Sequence, residues 1–186
     1  MTREKLFIQG IQTRLVEISE HDAADIVKLR NDPNNNKFLF QKELTVENQT
    51  DWISRNKDRE DARNFKVTDN NNVFRGTISI YNIEDGRGEW GRYIVTNPIN
   101  AVEAEYLLLK ICFEKMGMRA VYGQTNVDNK SAWRQHIKLG FREIGIKEVP
   151  VGTHMDIMVR AIIQEITAEE FRAFNYDKIL KLLEYF

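Results

Sequence analysis

Apolar residues recur at intervals of three or four positions in several parts of the chain, which is the spacing of an amphipathic helix. Ala23, Ile26 and Leu29 follow this spacing in residues 22–31, and Asn31-Asp32-Pro33 stops the helix. Thr45 is a candidate N-cap for a second helix over residues 46–56. Both predicted helices precede the main group of predicted strands.

The second half of the chain contains the longest helical pattern. Residues 101–117 predict a helix that Gly117 ends. Its buried stripe consists of Leu107, Leu108, Ile111, Cys112 and Met116. A shorter helix is predicted over residues 131–139, and Gly140 supplies its left-handed end. The tail, residues 166–186, also predicts a helix, whose apolar stripe consists of Ile179, Leu182, Leu183 and Phe186.

Runs rich in β-branched and aromatic residues predict strands between these helices. They cover residues 11–18, 64–69, 73–83, 89–96, 120–127, 142–150 and 153–162. The order of elements indicates an α+β fold, with a mostly antiparallel sheet of about seven strands flanked by helices. We expect the strand at 89–96 to lie parallel to the strand at 120–127, with the longest helix as a right-handed crossover between them.

Composition limits the class of protein. The 186 residues suit one domain over 1–165, with a C-terminal helical extension at 166–186 that packs on it. The net charge of −1 argues against a nucleic-acid partner, because binding to phosphates needs a cationic surface. No apolar run approaches the roughly 18–20 residues that cross a bilayer, and the charged N-terminus lacks a signal-peptide core.

The single cysteine, Cys112, cannot form an internal disulfide. Its place inside an apolar helical run predicts a small buried core residue rather than a nucleophile that carries an acyl group. The cysteine usage fits a reducing compartment, so we expect the protein in the cytoplasm.

Five local motifs, in their order along the chain, resemble the GNAT superfamily of acyl-CoA N-acyltransferases. They are LRNDP at 29–33, the Thr-to-Trp helix at 45–52, GTISI at 76–80, EWGRYI at 89–94 and NxxAxxxHxxLGF at 129–141. Together they cover about residues 12–165 and resemble the branch of ribosomal-protein N-terminal acetyltransferases and nucleotide-sugar N-acetyltransferases. Within that branch the likeness is to the UDP-4-amino-4,6-dideoxy-N-acetyl-β-L-altrosamine type.

The resemblance implies two catalytic residues, Glu89 and His136. A glutamate at position 89 acts in the family as a general base through water; the alternative is an exposed strand glutamate. His136 stands where the family usually has a tyrosine that protonates the departing thiolate, and imidazole can hold that proton near neutral pH. The alternative is a partly exposed helical histidine that pairs with a neighbour.

For the acyl donor the resemblance implies acetyl-CoA and no metal. Ile94 and Val95 would hold the pantetheine arm through their backbone groups, and Asn129 with Ala132 would flank it or start the helix. The family's glycine-rich diphosphate loop is replaced here by residues without glycine or basic side chains, namely Asn100, Ala101, Val102, Glu103 and Ala104. Glu103 and Glu105 oppose anion binding unless both side chains point away.

On the acceptor side, the resemblance implies a site lined by aromatic and polar residues. They are Arg30, Asn31, Trp52, Tyr81, Trp90 and Tyr93. Aromatic rings with polar tips suit a uracil or a sugar face, and Arg30 suits a diphosphate or carboxylate. Each aromatic residue alone is more typical of an ordinary core.

These residues together predict transfer of an acetyl group to a primary amine, preferably the amino group of a nucleotide-linked deoxyamino sugar. Protein N-terminal amines and antibiotic amines are alternative acceptors, and a non-catalytic binding module is the alternative of another class. The expected partner is a small-molecule amine, with no nucleic acid and no membrane, and the expected state is a monomer or a homodimer.

Overall fold

The computed structural model describes residues 3–39, 43–151 and 154–185. Its described strands form one sheet of eight, in the order β1-β2-β3-β4-β5-β6-β8-β7. The strands are β1 (Phe7–Gln9), β2 (Thr13–Glu17), β3 (Arg63–Asp69), β4 (Phe74–Glu84), β5 (Arg87–Val95), β6 (Ala120–Asn126), β7 (Arg142–Val151) and β8 (His154–Thr167). β5 and β6 are parallel, and the other neighbouring strands are antiparallel. The mostly antiparallel α+β fold is therefore confirmed, with β1 as the strand that the sequence did not indicate.

Helices connect and cover these strands. They are α1 (Ala23–Asn31), α2 (Val46–Asn56), α3 (Pro98–Lys110), α4 (Lys130–Lys138), α5 (Ala168–Ala173) and α6 (Asp177–Leu183). Thr45 caps α2, since its side chain accepts a hydrogen bond from the Asn48 N–H. α3 continues into a π-helical turn, Ile111–Lys115, and Gly117 follows with a positive φ of 64°. Each predicted helix before the tail is present to within a few residues.

The tail differs from its prediction. It forms two short helices, because Phe174 takes an extended conformation after α5. The single apolar stripe is wrong as well, since the side chain of Leu182 is 60% exposed whereas Leu183 is 4% exposed. Phe186, also assigned to that stripe, lies outside the described residues. The predicted stripe assumes one continuous helix, whereas the backbone breaks between α5 and α6.

The helices cover opposite faces of the sheet. α3 packs on one face, where Ile78, Ile80 and Leu108 are fully buried. α1 and α2 pack together near the other face, around a smaller cluster that includes Ile26 and Ile53. Because side chains alternate along a strand, β4 contributes to both layers.

The last two helices lie against the α3 layer. Phe171 and Tyr176 are both 7% exposed and belong to the main apolar cluster. The phenol of Tyr176 donates a hydrogen bond to the Leu139 carbonyl oxygen at 2.9 Å. This bond fixes the C-terminal segment beside the end of α4.

Cys112 lies in the same layer with no exposed surface. Burial raises the pKa of its thiol, which removes the thiolate that nucleophilic attack requires. In the parts of the chain that the structure describes, no helix has both the length and the apolarity needed to cross a bilayer.

Candidate active site

β5 and β6 separate shortly after they meet. Their parallel pairing joins Arg87, Gly88 and Glu89 to residues 120–122. Beyond this point β5 stays paired with β4 as far as Val95, while β6 stays paired with β8 as far as Asn126. The two strands therefore leave a gap between residues 90–95 and residues 123–126, where neither strand is paired with the other.

A bulge in β5 lies along this gap. Ser79 pairs with Gly91 and Thr77 pairs with Ile94, so that two residues of β5 face one residue of β4. Arg92 has a φ of +48°, which costs a non-glycine residue free energy and is common at functional sites. Such an extra residue bends its strand, and here the bend accompanies the departure from β6.

Glu89 occupies the last paired position before the gap. Its carboxylate accepts hydrogen bonds from the Tyr81 phenol at 3.2 Å, from Asn82 Nδ2 at 3.1 Å and from Gln124 Nε2 at 3.2 Å. Burial raises the pKa of Glu89, although these donors and the nearby Arg92 oppose the shift. A carboxylate with a raised pKa is a better proton acceptor near neutral pH.

His136 lies on the opposite side of the gap and is buried, with 3% of its surface exposed. The sequence left open a partly exposed histidine that pairs with a neighbour. The neighbour is present, but the histidine is buried. Nδ1 lies 2.9 Å from Glu105 Oε1. The imidazole ring stands edge-on to the indole of Trp90, with 4.6 Å between the ring centroids.

Trp90 and Tyr93 face the α3 layer rather than the acceptor side on which the resemblance places them. Trp90 is 5% exposed, and a Cβ atom at Gly123 would lie 2.3 Å from its indole Nε1. The indole therefore spans from β5 to β6 and needs a glycine at position 123. The Tyr93 phenol donates to the Ala101 carbonyl oxygen at 2.9 Å.

A cavity of about 890 Å³ lies on the other face, between the helices α1 and α2 and the strands β3 to β5. Its lining residues are Ile18, Ile26, Arg30, Leu39, Glu43, Leu44, Asn48, Gln49, Trp52, Arg55, Asn64, Phe65, Thr77, Ser79, Tyr81 and Arg92. Three of the predicted acceptor residues, Arg30, Trp52 and Tyr81, are among them. Asn31 is not; its side chain holds the backbone of Leu44 through two hydrogen bonds of 2.8 and 3.0 Å.

The cavity is cationic. The Arg92 guanidinium lies 4.3 Å from the ring centroid of Tyr81 and 5.0 Å from that of Trp52. Burial, followed by repulsion from Arg92, lowers the pKa of Arg30 to about 10. Burial also lowers the pKa of Arg92. Two desolvated guanidinium groups that repel each other favour an anion between or beside them.

The backbone N–H groups at the N-terminus of α3 are already bonded to Asn97, the residue that caps the helix. Asn97 Oδ1 accepts from the N–H of Ile99 at 2.9 Å and from that of Asn100 at 3.2 Å. Pro98 has no N–H, and the N–H of Ala101 donates to the Asn97 carbonyl oxygen. The N–H groups of this first turn are therefore engaged within the helix, which fits a diphosphate less well than a free glycine-rich loop does.

The acidic residues of α3 point away from that turn. Glu103 is 1% exposed and accepts from the N–H of Gln12 at 2.8 Å and from that of Ile11 at 2.5 Å. Glu105 bonds to His136 on α4. The side chain of Asn100 is likewise turned toward β2, where it donates to the Thr13 hydroxyl at 2.9 Å.

The remaining predicted donor residues lie on α3 and at the start of α4. Ala101 and Ala104 are buried in the α3 layer, and Val102 packs beside it. Asn129 lies at the start of α4, as predicted. Its side chain makes no capping hydrogen bond there, so the predicted capping role is wrong. Ala132 is partly exposed in the first turn of that helix.

The candidate site also contains side chains that the sequence analysis did not assign to it. Arg92 was visible inside the EWGRYI motif, but its bulge conformation was not. Asn82 and Gln124 come from separate strands and meet at Glu89. Glu105 was noted for its charge, whereas its contact with His136 depends on the packing of α3 against α4. In the described part of the chain, no group of three or more His, Cys, Asp and Glu residues is placed to hold a metal ion.

Comparisons with known proteins find the same fold. The structure is similar to that of apo FdhC, a nucleotide-linked sugar GNAT, with a TM-score of 0.81 and 20% identity over 97% of this chain and 99% of that one. It is also similar to spermidine N-acetyltransferase from Vibrio cholerae in complex with CoA and spermine, with a TM-score of 0.75 and 18% identity over 87% and 98% of the two chains. No curated protein gave a significant match to the sequence.

The family model for the acetyltransferase (GNAT) domain matches residues 12–142. This range runs from the start of β2 to the start of β7, so it includes the gap, Glu89, His136 and the cationic cavity. The chain therefore belongs to the GNAT acetyltransferase family.

Proposed function

We propose that the protein transfers the acetyl group of acetyl-CoA to the primary amine of a nucleotide-linked deoxyamino sugar. The observation that carries this proposal is the charge of the cavity. Among its described lining residues, three are arginines, Arg30, Arg55 and Arg92, and one is a carboxylate, Glu43. An acceptor with a diphosphate would be attracted there, and a polyamine would be repelled.

The two sides of the sheet suit two substrates. The cavity and Glu89 lie on the face of α1 and α2, whereas His136 and Trp90 lie on the face of α3. The gap between β5 and β6 separates these sites, and because the Trp90 indole reaches Gly123 at its start, the substrates would meet beyond Trp90, toward Val95. The acceptor amine would approach from the cavity and the acyl donor from the α3 side, so that the reacting atoms meet within the gap.

Val95 is the better placed of the two residues proposed to hold the donor arm. The N–H of the next residue, Thr96, donates to the Arg75 carbonyl oxygen on the side of β4. Since successive residues of a strand direct their N–H and C=O groups to opposite edges, those of Val95 point toward the gap and those of Ile94 toward β4. An extended pantetheine arm could add to this edge as a strand does.

In this arrangement Glu89 takes the proton of the acceptor ammonium, directly or through a water molecule. His136 holds the proton that the departing sulfur needs. Acetyl-CoA supplies the activated acyl group, and the backbone N–H groups at the gap are the donors available to the oxygen that gains charge. Cys112 takes no part, because it is buried in the α3 layer.

A non-catalytic binding module is the second candidate, and one observation favours it. The capped first turn of α3 offers the donor diphosphate no N–H group that is not already bonded within the helix. In that case the cavity would bind an anionic ligand without acyl transfer. Direct measurement of acetyl-CoA binding by calorimetry separates this candidate from the enzyme.

The proposal is tested by supplying acetyl-CoA with a panel of amines and measuring thiol release. The panel contains a UDP-linked and a dTDP-linked amino sugar, spermidine, an aminoglycoside and a peptide with a free N-terminus. We expect kcat/KM to be at least about tenfold higher for a nucleotide-linked amino sugar than for any other amine. A preference for spermidine would overturn the proposed acceptor, and no thiol release with any amine would favour the binding module.

The proposed compartment is the cytoplasm, as the cysteine usage indicates.

A further inference from the structure

Glu105 is a fully buried carboxylate in the middle of α3, with 0% of its surface exposed. Its Oε1 atom lies 2.9 Å from Nδ1 of His136, and its Oε2 atom accepts from Gln135 Nε2 at 3.0 Å. Both partners come from α4. The carboxylate therefore ties the two helices that border the donor side of the gap.

The same contacts extend to β5. Gln135 Nε2 also donates to the Tyr93 phenol oxygen at 2.9 Å, and that phenol donates in turn to the Ala101 carbonyl oxygen at 2.9 Å. Each donor and acceptor in this series of hydrogen bonds has a defined partner. The position of Glu105 is therefore fixed from both of its oxygen atoms.

Ordinary packing does not account for a carboxylate at this place. Removal of a charge from water costs several kcal/mol unless a partner compensates it. Among the described residues, His136 is the only basic side chain within ion-pair distance of Glu105. The burial of Glu105 is therefore matched to an imidazole rather than to a lysine or an arginine.

The contact also decides which nitrogen of His136 can exchange a proton. A carboxylate accepts hydrogen bonds, so Nδ1 carries a hydrogen that is directed at Glu105. Nε2 is then the nitrogen that gains or gives up a proton in turnover. The edge-on contact with Trp90 at 4.6 Å fixes the plane of the ring as well.

We propose that Glu105 is a positioning residue that holds His136 with Nδ1 protonated and Nε2 free for proton transfer. This inference rests on the proposed function. As the amine nitrogen bonds to the acyl carbon, the carbon–sulfur bond breaks and its electron pair stays on sulfur. His136, with both ring nitrogens protonated before this step, gives the proton on Nε2 to that sulfur and becomes neutral, with its Nδ1 hydrogen still bonded to Glu105. The amine proton leaves by way of Glu89.

The kinetic test uses Glu105→Gln and His136→Phe, singly and together. We expect Glu105→Gln to lower kcat about tenfold or more and to leave both KM values within about twofold, since no substrate touches residue 105. In the His136→Phe background the same change should have no further effect on kcat, because the histidine that it positions is gone. An undiminished effect in that background would overturn the inference.

Glu165→Gln is the matched control. Glu165 is a buried glutamate, 8% exposed, and it accepts hydrogen bonds from Arg87 and Arg142. The variant therefore removes a buried carboxylate that does not contact His136. We expect kcat to stay within about twofold of the unaltered protein. A fall equal to that of Glu105→Gln would show that the effect is a general loss of packing and would overturn the inference.

A spectroscopic test needs no activity, and His136→Phe identifies which signal belongs to His136 among the three histidines of the chain. Nitrogen-15 NMR of the unaltered protein, with histidine labelled in its ring, reports the tautomer of His136 at a pH where it is neutral. We expect the Nδ1–H form to be at least about tenfold in excess. An excess of the Nε2–H form would overturn the inference. If no amine is acetylated, the proposed function fails, but this measurement still decides the role of Glu105 toward His136.

Discussion

The Tyr81 phenol donates a hydrogen bond to Glu89 Oε1 at 3.2 Å, between two residues that pair directly across β4 and β5. Tyr81 lines the cationic cavity, and Glu89 stands at the start of the gap. Gly91 makes the contact possible, since a Cβ atom there would lie 2.7 Å from the phenol oxygen. This hydrogen bond joins the cavity proposed for the acceptor to the carboxylate proposed as its base.

Glu89→Gln removes the proposed base while it keeps the size of the side chain. We expect kcat to fall about 100-fold or more, the lower range for loss of acid–base catalysis, with less change in the KM for acetyl-CoA. Initial rates with the preferred amine measure both constants. Unchanged turnover would exclude Glu89 as the base.

The pH dependence of the unaltered protein should show the environment of Glu89. Burial raises the pKa of this carboxyl group, and the base acts only when it is ionised. The rate should therefore fall as the pH drops through a value above that of an ordinary glutamate. Asn82→Gly removes the first of the hydrogen bonds that oppose the shift and keeps the positive φ of 52° at position 82. We expect this acid limb of kcat/KM to move to higher pH in the variant; a move to lower pH would contradict the assignment.

His136→Phe keeps an aromatic ring beside Trp90 and removes the proton donor. We expect kcat to fall roughly 100-fold and the melting temperature to fall as well, because Glu105 is left buried without its partner. Kinetics and thermal unfolding measure the two effects separately. Full activity would exclude His136 as the acid.

Arg30→Met tests whether the cavity binds an anion. The change keeps the apolar stem of the side chain and removes the guanidinium group. For a nucleotide-linked acceptor we expect KM to rise about tenfold and to lose part of its salt dependence, with no change in the KM for acetyl-CoA. Arg14→Met is the control, since Arg14 lies on β2 and pairs with Gln9 and Asn72. An equal rise in both variants would contradict a specific anion site.

Asn97→Gly tests the capped end of α3. Loss of the side chain releases the N–H groups of Ile99 and Asn100 and costs only a few tenths of a kcal/mol when glycine is the replacement. If the donor diphosphate binds at this turn, acetyl-CoA should bind several times more tightly to the variant. Calorimetry measures the affinity, and thermal unfolding measures the cost. Equal or weaker binding would show that the diphosphate lies elsewhere.

Much of the fold follows from patterns within short stretches of sequence. Three-residue and four-residue spacing locates α1 and α3, Thr45 marks the start of α2, and Gly117 marks the end of the helical run after α3. The parallel pair β5–β6 follows from the strand–helix–strand order around α3. These features depend on local chemistry, and the order of five motifs was enough to indicate the family.

The site itself depends on contacts that local patterns do not encode. Trp90 pairs with Ile80 and faces the α3 layer by ordinary alternation. Tyr93 faces the same layer because the bulge at Arg92 resets the alternation of β5, and an inserted residue leaves no mark in composition. Glu103 and Glu105 read as charges near a diphosphate, yet each is satisfied by a distant partner, the β1–β2 turn and His136 respectively. Whether a charged side chain is buried depends on a partner that is distant in sequence, so it can be recognised only once the fold has placed that partner.

The seam between β5 and β6 consists of three residue pairs. On one side of it lie five strands with α1 and α2, and on the other side lie β6, β8 and β7. Side-chain contacts reinforce this short seam, since the Trp90 indole reaches Gly123 and Arg87 on β5 forms an ion pair with Glu165 on β8. The spacing between the two halves of the sheet is therefore set by side chains more than by backbone hydrogen bonds, so it depends on sequence at a handful of positions.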